Sequence, residues 1–177
     1  MSTTSTALLT GRTESDLYRK LIKVGETQAR RWLSEGIEQY LVRLLVVSGR
    51  MREELRQQPE RRLALIYGEA REASSLTERA MSLHELGFEG LKLVGFFPGQ
   101  LKRRQVSLSY AAQLTTGAYA ELATIDLARV RSQVFLQALI PLSQEIAANF
   151  EDIVAVLWHT RAEVDKGSVW QDVGTVH

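Results

Sequence analysis

The sequence contains no cysteine and only three prolines, at positions 59, 98 and 141. Without cysteine the chain has no disulfide, no thiolate zinc site, no iron–sulfur cluster and no cysteine nucleophile. No uncharged apolar run approaches the ~20 residues that span a bilayer. The first residues, Met1 to Thr6, lack the basic flank and the apolar stretch of a secretory signal. We therefore expect a cytoplasmic protein without a membrane span.

Motifs for catalysis and for metal binding are also missing. Neither His84 nor His159 follows a carboxylate by three or four residues, as the E-x-x-H pair of di-iron bundles requires. The sequence has no H-E-x-x-H, no glycine-rich phosphate loop and no G-x-S-x-G pattern. We therefore predict that the chain is not an enzyme, has no catalytic or metal-ligating residues and uses no cofactor.

What remains is typical of a globular helical protein. Of the 177 residues, 45% are hydrophobic and 24% are charged, so the chain can bury a substantial core. Good helix formers dominate and alternating strand patterns are nearly absent. We predict an all-α fold, a mostly antiparallel bundle of five to six helices, one or two of them long. Residues 13–166 are expected to form a single domain between a flexible N-terminus, 1–12, and a C-terminal tail, 167–177.

Apolar spacing and capping residues place the first helices. Thr13 and Asp16 have capping-box spacing, so helix 1 is expected to begin after Thr13 and to stop at Gly25. A longer helix is predicted from about residue 27 to about 57. Its run from Leu41 to Val47 is too apolar for a helix buried on one side only, which indicates association with another chain.

Later boundaries follow from proline, glycine and serine. Pro59 suits the first turn of a third helix, and Ser75 with Glu78 predicts the start of a fourth. Residues 95–99 must end that helix, since Pro98 disfavours helical geometry at the residue before it. A short helical piece over residues 101–104 is expected next.

The last third of the chain is predicted to be helical as well. Ser107 or Ser109 can cap another long helix. An apolar stripe continues past Pro141, which marks either a kink or a new helix start. The periodicity ends after Lys166.

The most unusual local sequence lies between Phe88 and Tyr110. We single out a possible binding surface there, in which two aromatic side chains form an anchor and neighbouring cations hold an anion. In the favoured alternative both rings close the end of the core and the cations face water. The residues concerned are Phe96, Phe97, Lys102, Arg103, Arg104 and Tyr110.

This segment also resembles a known group of sequences. A G-F-F-P stretch at 95–98 is followed by Arg103 and Arg104, by a serine–tyrosine helix start at Ser109-Tyr110, and by A-Y at 118–119. The arrangement resembles a family of uncharacterised bacterial all-helical proteins, over about a fifth of the chain. The resemblance implies an all-helical fold. Because no activity is attached to the family, it implies nothing about what the chain does.

Tryptophans and glycines allow two interpretations each. We expect Trp32 and Trp158 to be core or groove aromatics whose indole N–H needs a partner. Trp170 lies in an otherwise polar tail, which either folds back over the bundle or docks on another subunit. Gly87 and Gly90 either line a cleft or, more commonly, let a neighbouring helix approach closely.

Three functional hypotheses follow. The leading one is a non-enzymatic interaction or regulatory protein that self-associates or binds a helical partner. An alternative is nucleic-acid binding through the basic region 92–104, because no acidic residue lies between Glu89 and Glu121. The third is a bundle that holds a small apolar ligand or cofactor, near the residues Phe96, Phe97, Tyr110 and Trp158.

Overall fold

The computed structural model describes residues 13–50, 59–103, 105–130 and 133–166, and these ranges contain α-helices and no strands. The predicted all-α class is confirmed. Eight α-helices lie in the described part, where five or six were expected, because the apolar spacing marks neither the break between residues 122 and 134 nor the one at Asn149. None of the described helices is long and apolar enough to cross a membrane.

Helix α1 spans Glu14–Ala29 and begins as predicted. The Thr13 hydroxyl accepts a hydrogen bond from the Asp16 backbone N–H (3.3 Å), and the Asp16 carboxylate accepts one from the Thr13 N–H (3.2 Å). The predicted stop at Gly25 is wrong. Gly25 lies inside the helix, where a Cβ would collide with Thr160 of the last helix, so this glycine serves helix packing.

A break separates α1 from α2, which spans Glu35–Arg50, so the predicted continuous helix from 27 to 57 is wrong in its first part. Arg30 adopts the left-handed conformation (φ 53°), and its N–H donates to the carbonyls of the last turn. The buried Glu26 carboxylate then accepts a hydrogen bond from the Leu33 N–H (2.8 Å). Residues 51–58, the end of the predicted helix, lie outside the described residues.

Helices α3, Pro59–Glu72, and α4, Leu76–Leu91, begin where proline and serine predict. The Ser75 hydroxyl caps α4 by accepting from the Glu78 N–H (3.1 Å). The capping box is not reciprocal, since the Glu78 carboxylate accepts from Ser74 instead. Helix α4 continues into a π-helical turn, Lys92–Phe96, and ends before Pro98 as expected.

The chain then forms α5 (Pro98–Arg103), α6 (Leu108–Leu122), a 3₁₀ turn (Leu127–Val130), α7 (Val134–Ala148) and α8 (Phe150–Asp165). Ser107, one of the two predicted caps, accepts from the Tyr110 N–H (3.3 Å). Pro141 lies inside α7 and starts no helix. The break in the apolar stripe comes later, at Asn149.

Helix α2 lies in the core. The side chains of Leu41, Leu44 and Leu45 are at most 1% exposed, and Val42 is buried as well. It packs on α1, α7 and the π-helical turn, while α1 also packs on α8, α3 on α4, and α4 on α6. The leucines of the apolar run of α2 are therefore buried by the chain itself, and Val46 and Val47 are partly buried. The run gives no reason by itself to invoke a second copy.

Candidate functional site

The two phenylalanines of the predicted surface lie against the core. Phe96 ends the π-helical turn and is 7% exposed, and Phe97 is partly buried beside it. Their rings meet edge to face, with centroids 5.1 Å apart. Neither ring protrudes into solvent as an anchor for a ligand.

A cation from another element holds this aromatic pair. The Arg161 guanidinium lies 5.5 Å from the centroid of each ring, within cation–π range. Its Nη1 donates to the Phe96 carbonyl (3.1 Å), and its Nε lies 2.8 Å from the Asp165 carboxylate. The sequence prediction assigned the neighbouring cation to residues 102–104, but the structure brings Arg161 of α8 to the rings.

Trp158, one turn before Arg161, completes a cap on the π-helical turn. Its indole N–H donates to the Val94 carbonyl (2.9 Å). The last carbonyls of a helix have no partner within the helix, so α8 side chains satisfy two of them here. The partner expected for the Trp158 indole is thereby identified, and the ring stays 46% exposed. Trp32 contradicts the prediction of a core or groove position, since it is 74% exposed in the link between α1 and α2.

The basic region contributes fewer surface charges than the sequence indicates. Lys102 and Arg103 are exposed in the last turn of α5, whereas Arg104 lies outside the described residues. Lys92 is fully buried, and its Nζ donates to Glu89 at 3.0 Å. A buried, paired lysine cannot reach a phosphate, so of the three described cations of this region only Lys102 and Arg103 are at the surface.

Tyr110, the last residue of the predicted surface, lies in the first turn of α6. Its side chain is 43% exposed, and it is not among the residues that line the groove described next. The prediction that these six residues form one binding surface stays a prediction.

An open groove of about 1000 Å³ runs between α6 and α8, and the sequence analysis did not anticipate it. One wall is a face of α6, and the other is the first half of α8 with the end of α7. Val94 of the π-helical turn and Trp158 also line it. The α6 wall begins with the larger Leu108 and continues at helical spacing with side chains that are small apart from Gln113: Ser109, Ala112, Gln113, Thr116, Gly117 and Ala120.

The groove has an acidic end. Glu151 and Asp152, in the first turn of α8, line it there. Arg31 already binds Asp152, with Nε 2.6 Å from Oδ1, whereas Glu151 is exposed. Carboxylates in the first turn stabilise a helix through its dipole, so Glu151 also has a local structural role. The exposed Trp32 directly follows Arg31, the residue that binds Asp152 at the acidic end of the groove.

A second cluster, of largely buried aromatic side chains, surrounds His84. The His84 ring packs against Tyr40, Phe88 and Phe135, with centroids 5.0 to 6.2 Å away. Burial, with a smaller contribution from the charge of Arg43, lowers the pKa of His84 to about 4. Its buried Nε2 has no hydrogen-bond partner.

The tyrosines beside His84 bind each other. The hydroxyls of Tyr40 and Tyr119 are 2.8 Å apart, and burial raises the pKa of both phenols. Both phenols therefore stay protonated at physiological pH, so they form hydrogen bonds and do not act as bases. We therefore regard this cluster as part of the core.

Neither the groove nor the His84 cluster carries a metal-binding group. The described residues contain no set of three or more histidine, aspartate or glutamate side chains close enough to hold a metal ion. No family model, no curated protein and no solved structure matches this chain. Any function of the groove must therefore be inferred from the geometry of this structure alone.

Proposed function

We propose that this chain is a non-enzymatic interaction protein and that its α6–α8 groove binds the apolar face of an amphipathic helix from a partner protein. The observation that carries the proposal is the groove itself, with small side chains along α6 and Trp158 at its edge. Small side chains let a second helix backbone approach closely, which is how helices pack at short interaxial distances.

The dimensions of the groove favour a helix. The α6 wall from Ser109 to Ala120 extends over about 17 Å at the rise of an α-helix, which corresponds to about three turns. The groove is open to solvent, so a small apolar molecule would leave one side in water. An amphipathic helix has a polar side for that environment.

The charge of the groove sets the chemistry of the partner. Glu151 stands exposed at one end, where a lysine or arginine of the partner helix would find a carboxylate. Groove-binding helices are recognised through apolar residues at i, i+3/i+4 and i+7. The partner we propose has such a stripe and a basic residue at one end.

Binding of a fluorescein-labelled peptide tests the proposal. The probe is a three-turn helix with leucine on one face and one terminal lysine, and a scrambled peptide of the same composition is its control. Gly117→Leu places a large side chain in the groove, at a position where an added Cβ meets nothing within 4 Å. We expect this variant to weaken binding at least tenfold in fluorescence anisotropy.

Gly68→Leu is the matched control, because Gly68 on α3 has equally open surroundings and does not line the groove. It should bind the peptide as the unaltered chain does. Glu151→Gln should weaken binding a few-fold at low salt, and the difference should shrink as salt screens the pair. No saturable binding of the probe, or equal binding by Gly117→Leu, would overturn the proposal.

A further inference from the structure

Trp32 is a large apolar side chain that lies in solvent next to the acidic end of the α6–α8 groove. It is 74% exposed in the link between α1 and α2. A tryptophan that is covered on binding buries about 150–250 Å², which makes it one of the most favourable single contacts that a surface can offer. The position of Trp32 therefore decides whether a helix in the groove can use it.

The link that carries Trp32 is held in place on both sides of this residue. On one side the Arg31 guanidinium binds Asp152, with Nε 2.6 Å from Oδ1. On the other side the Leu33 N–H donates to the buried Glu26 carboxylate (2.8 Å), and the Leu33 side chain packs against the core. A residue whose backbone is already fixed loses little conformational freedom when a partner covers it, so Trp32 is preorganised for binding.

The ion pair between Arg31 and Asp152 brings Trp32 close to the groove. Asp152 lines the acidic end, next to the exposed Glu151, and Trp32 directly follows Arg31. Given the lengths of the two paired side chains, the Cα atoms of Trp32 and Asp152 are within about 15 Å of each other. A helix covers that distance in about ten residues, or about three turns, and the length of the indole shortens the requirement to about two turns.

We infer that the partner helix continues past its basic residue and places an apolar side chain on Trp32, an inference that rests on the proposed function of the groove. The partner then has an apolar stripe in the groove, a cation at Glu151 and further apolar residues about two turns beyond that cation. Tryptophan is among the residues that most often dominate the binding energy of an interface. The preferred partner is consequently a helix of about five turns and not of three.

Three fluorescein-labelled peptides test the inference by fluorescence anisotropy. The short probe is the three-turn leucine helix with a terminal lysine. The extended probe adds two turns beyond the lysine, with leucines that continue the stripe on the same face. The control probe adds the same residues with the leucines on the opposite face. We expect the extended probe to bind the unaltered chain about tenfold more tightly than either of the others.

Substitutions at Trp32 assign this gain to the indole. Trp32→Ala should weaken binding of the extended probe about tenfold and leave binding of the short probe unchanged, whereas Trp32→Phe, which keeps a ring, should retain most of the gain. Leu65→Ala is the matched control, because Leu65 on α3 is 61% exposed and does not line the groove. It should bind both probes as the unaltered chain does.

The same titrations separate this inference from the proposed function. Equal affinity of the extended and control probes, or a gain that persists in Trp32→Ala, overturns the inference and leaves the function of the groove standing. An equal loss of the short and the extended probe in Trp32→Ala also overturns it, because Trp32 would then act on the groove itself. If no probe binds saturably, the proposed function is rejected and the inference with it.

Discussion

His84 lies in an environment that differs strongly from water. It is neutral when folded, because burial lowers its pKa to about 4 from the ordinary 6.5. Between these two values the unfolded chain binds a proton that the folded chain does not. The free energy of unfolding must therefore fall as the pH falls from 6.5 to 4, by up to about 3 kcal/mol from this group.

His84→Phe should remove this contribution while it keeps an aromatic ring among Tyr40, Phe88 and Phe135. We expect urea unfolding of the variant at pH 7, 6, 5 and 4.5 to show a clearly smaller loss of stability than the unaltered chain. His159→Phe, the same replacement on the exposed side of α8, should keep the original slope. Identical pH dependence in all three proteins would show that His84 is charged or solvated in the fold.

Helix pairs depend on glycine where two backbones come close. A Cβ on Gly90 of α4 would collide with the Thr115 side chain of α6, and Thr115 is itself fixed by a bond from its hydroxyl to the Ala111 carbonyl (2.6 Å). Gly90→Ala should therefore destabilise the protein by about 1–3 kcal/mol through overpacking. Gly68→Ala should stabilise it by about 0.5–1 kcal/mol, since nothing lies within 4 Å.

Thermal and urea unfolding of these two variants test whether Gly90→Ala lowers the free energy of unfolding and Gly68→Ala raises it. Intrinsic helix propensity alone predicts that both replacements stabilise the chain. Stabilisation by Gly90→Ala would therefore show that α4 and α6 do not approach as closely as described.

Which helix boundaries could be read from the sequence depends on how local their cause is. The caps at Thr13, Ser75 and Ser107, and the breaks at Pro59 and Pro98, follow from neighbouring residues alone, and they were predictable. The break at Arg30 was not, because it depends on a left-handed arginine and on the buried Glu26 carboxylate, which binds a backbone N–H seven residues away.

Glycine and proline misled the prediction where tertiary contacts decide. Gly25 continues α1 because α8 needs the space, and Pro141 lies inside α7 although proline disfavours a helix interior. Tertiary packing outweighs the local cost at Gly25, whereas Pro141 is exposed and no contact in the structure explains its place in the helix.

The candidate site was predictable only in part. The small residues of α6 recur on one face in the sequence, from Ser109 to Ala120, so one wall of the groove carried a signal. The other wall is Phe150–Trp158 of α8, more than 30 residues away, and only the fold brings them together. The contact of Arg161 with Phe96 and Phe97 also depends on the fold, because these residues are far apart in the sequence and no local pattern predicts that they meet.

In the folded molecule the leucines of α2, whose apolar run indicated self-association in the sequence, are buried. The run from Leu41 to Leu45 lies in the centre of the bundle. The large hydrophobic side chains that remain exposed in the described structure lie on several elements: Val24, Trp32, Leu65, Met81, Leu108, Tyr110, Val134 and Trp158. Of these, Leu108 and Trp158 line the groove. A stable dimer interface buries about 800 Å² on each partner around an apolar centre, and single side chains on different elements do not form such a centre.

We therefore expect the protein to be a monomer whose groove is open to a different protein. Sedimentation velocity from about 5 to about 200 µM should give one species near the 19.9 kDa of a single chain. Gly117→Leu should leave that result unchanged, because a blocked groove removes no contact between copies. A dimer that Gly117→Leu dissociates and Gly68→Leu does not would instead make a second copy of this chain the occupant of the groove, in place of a foreign helix.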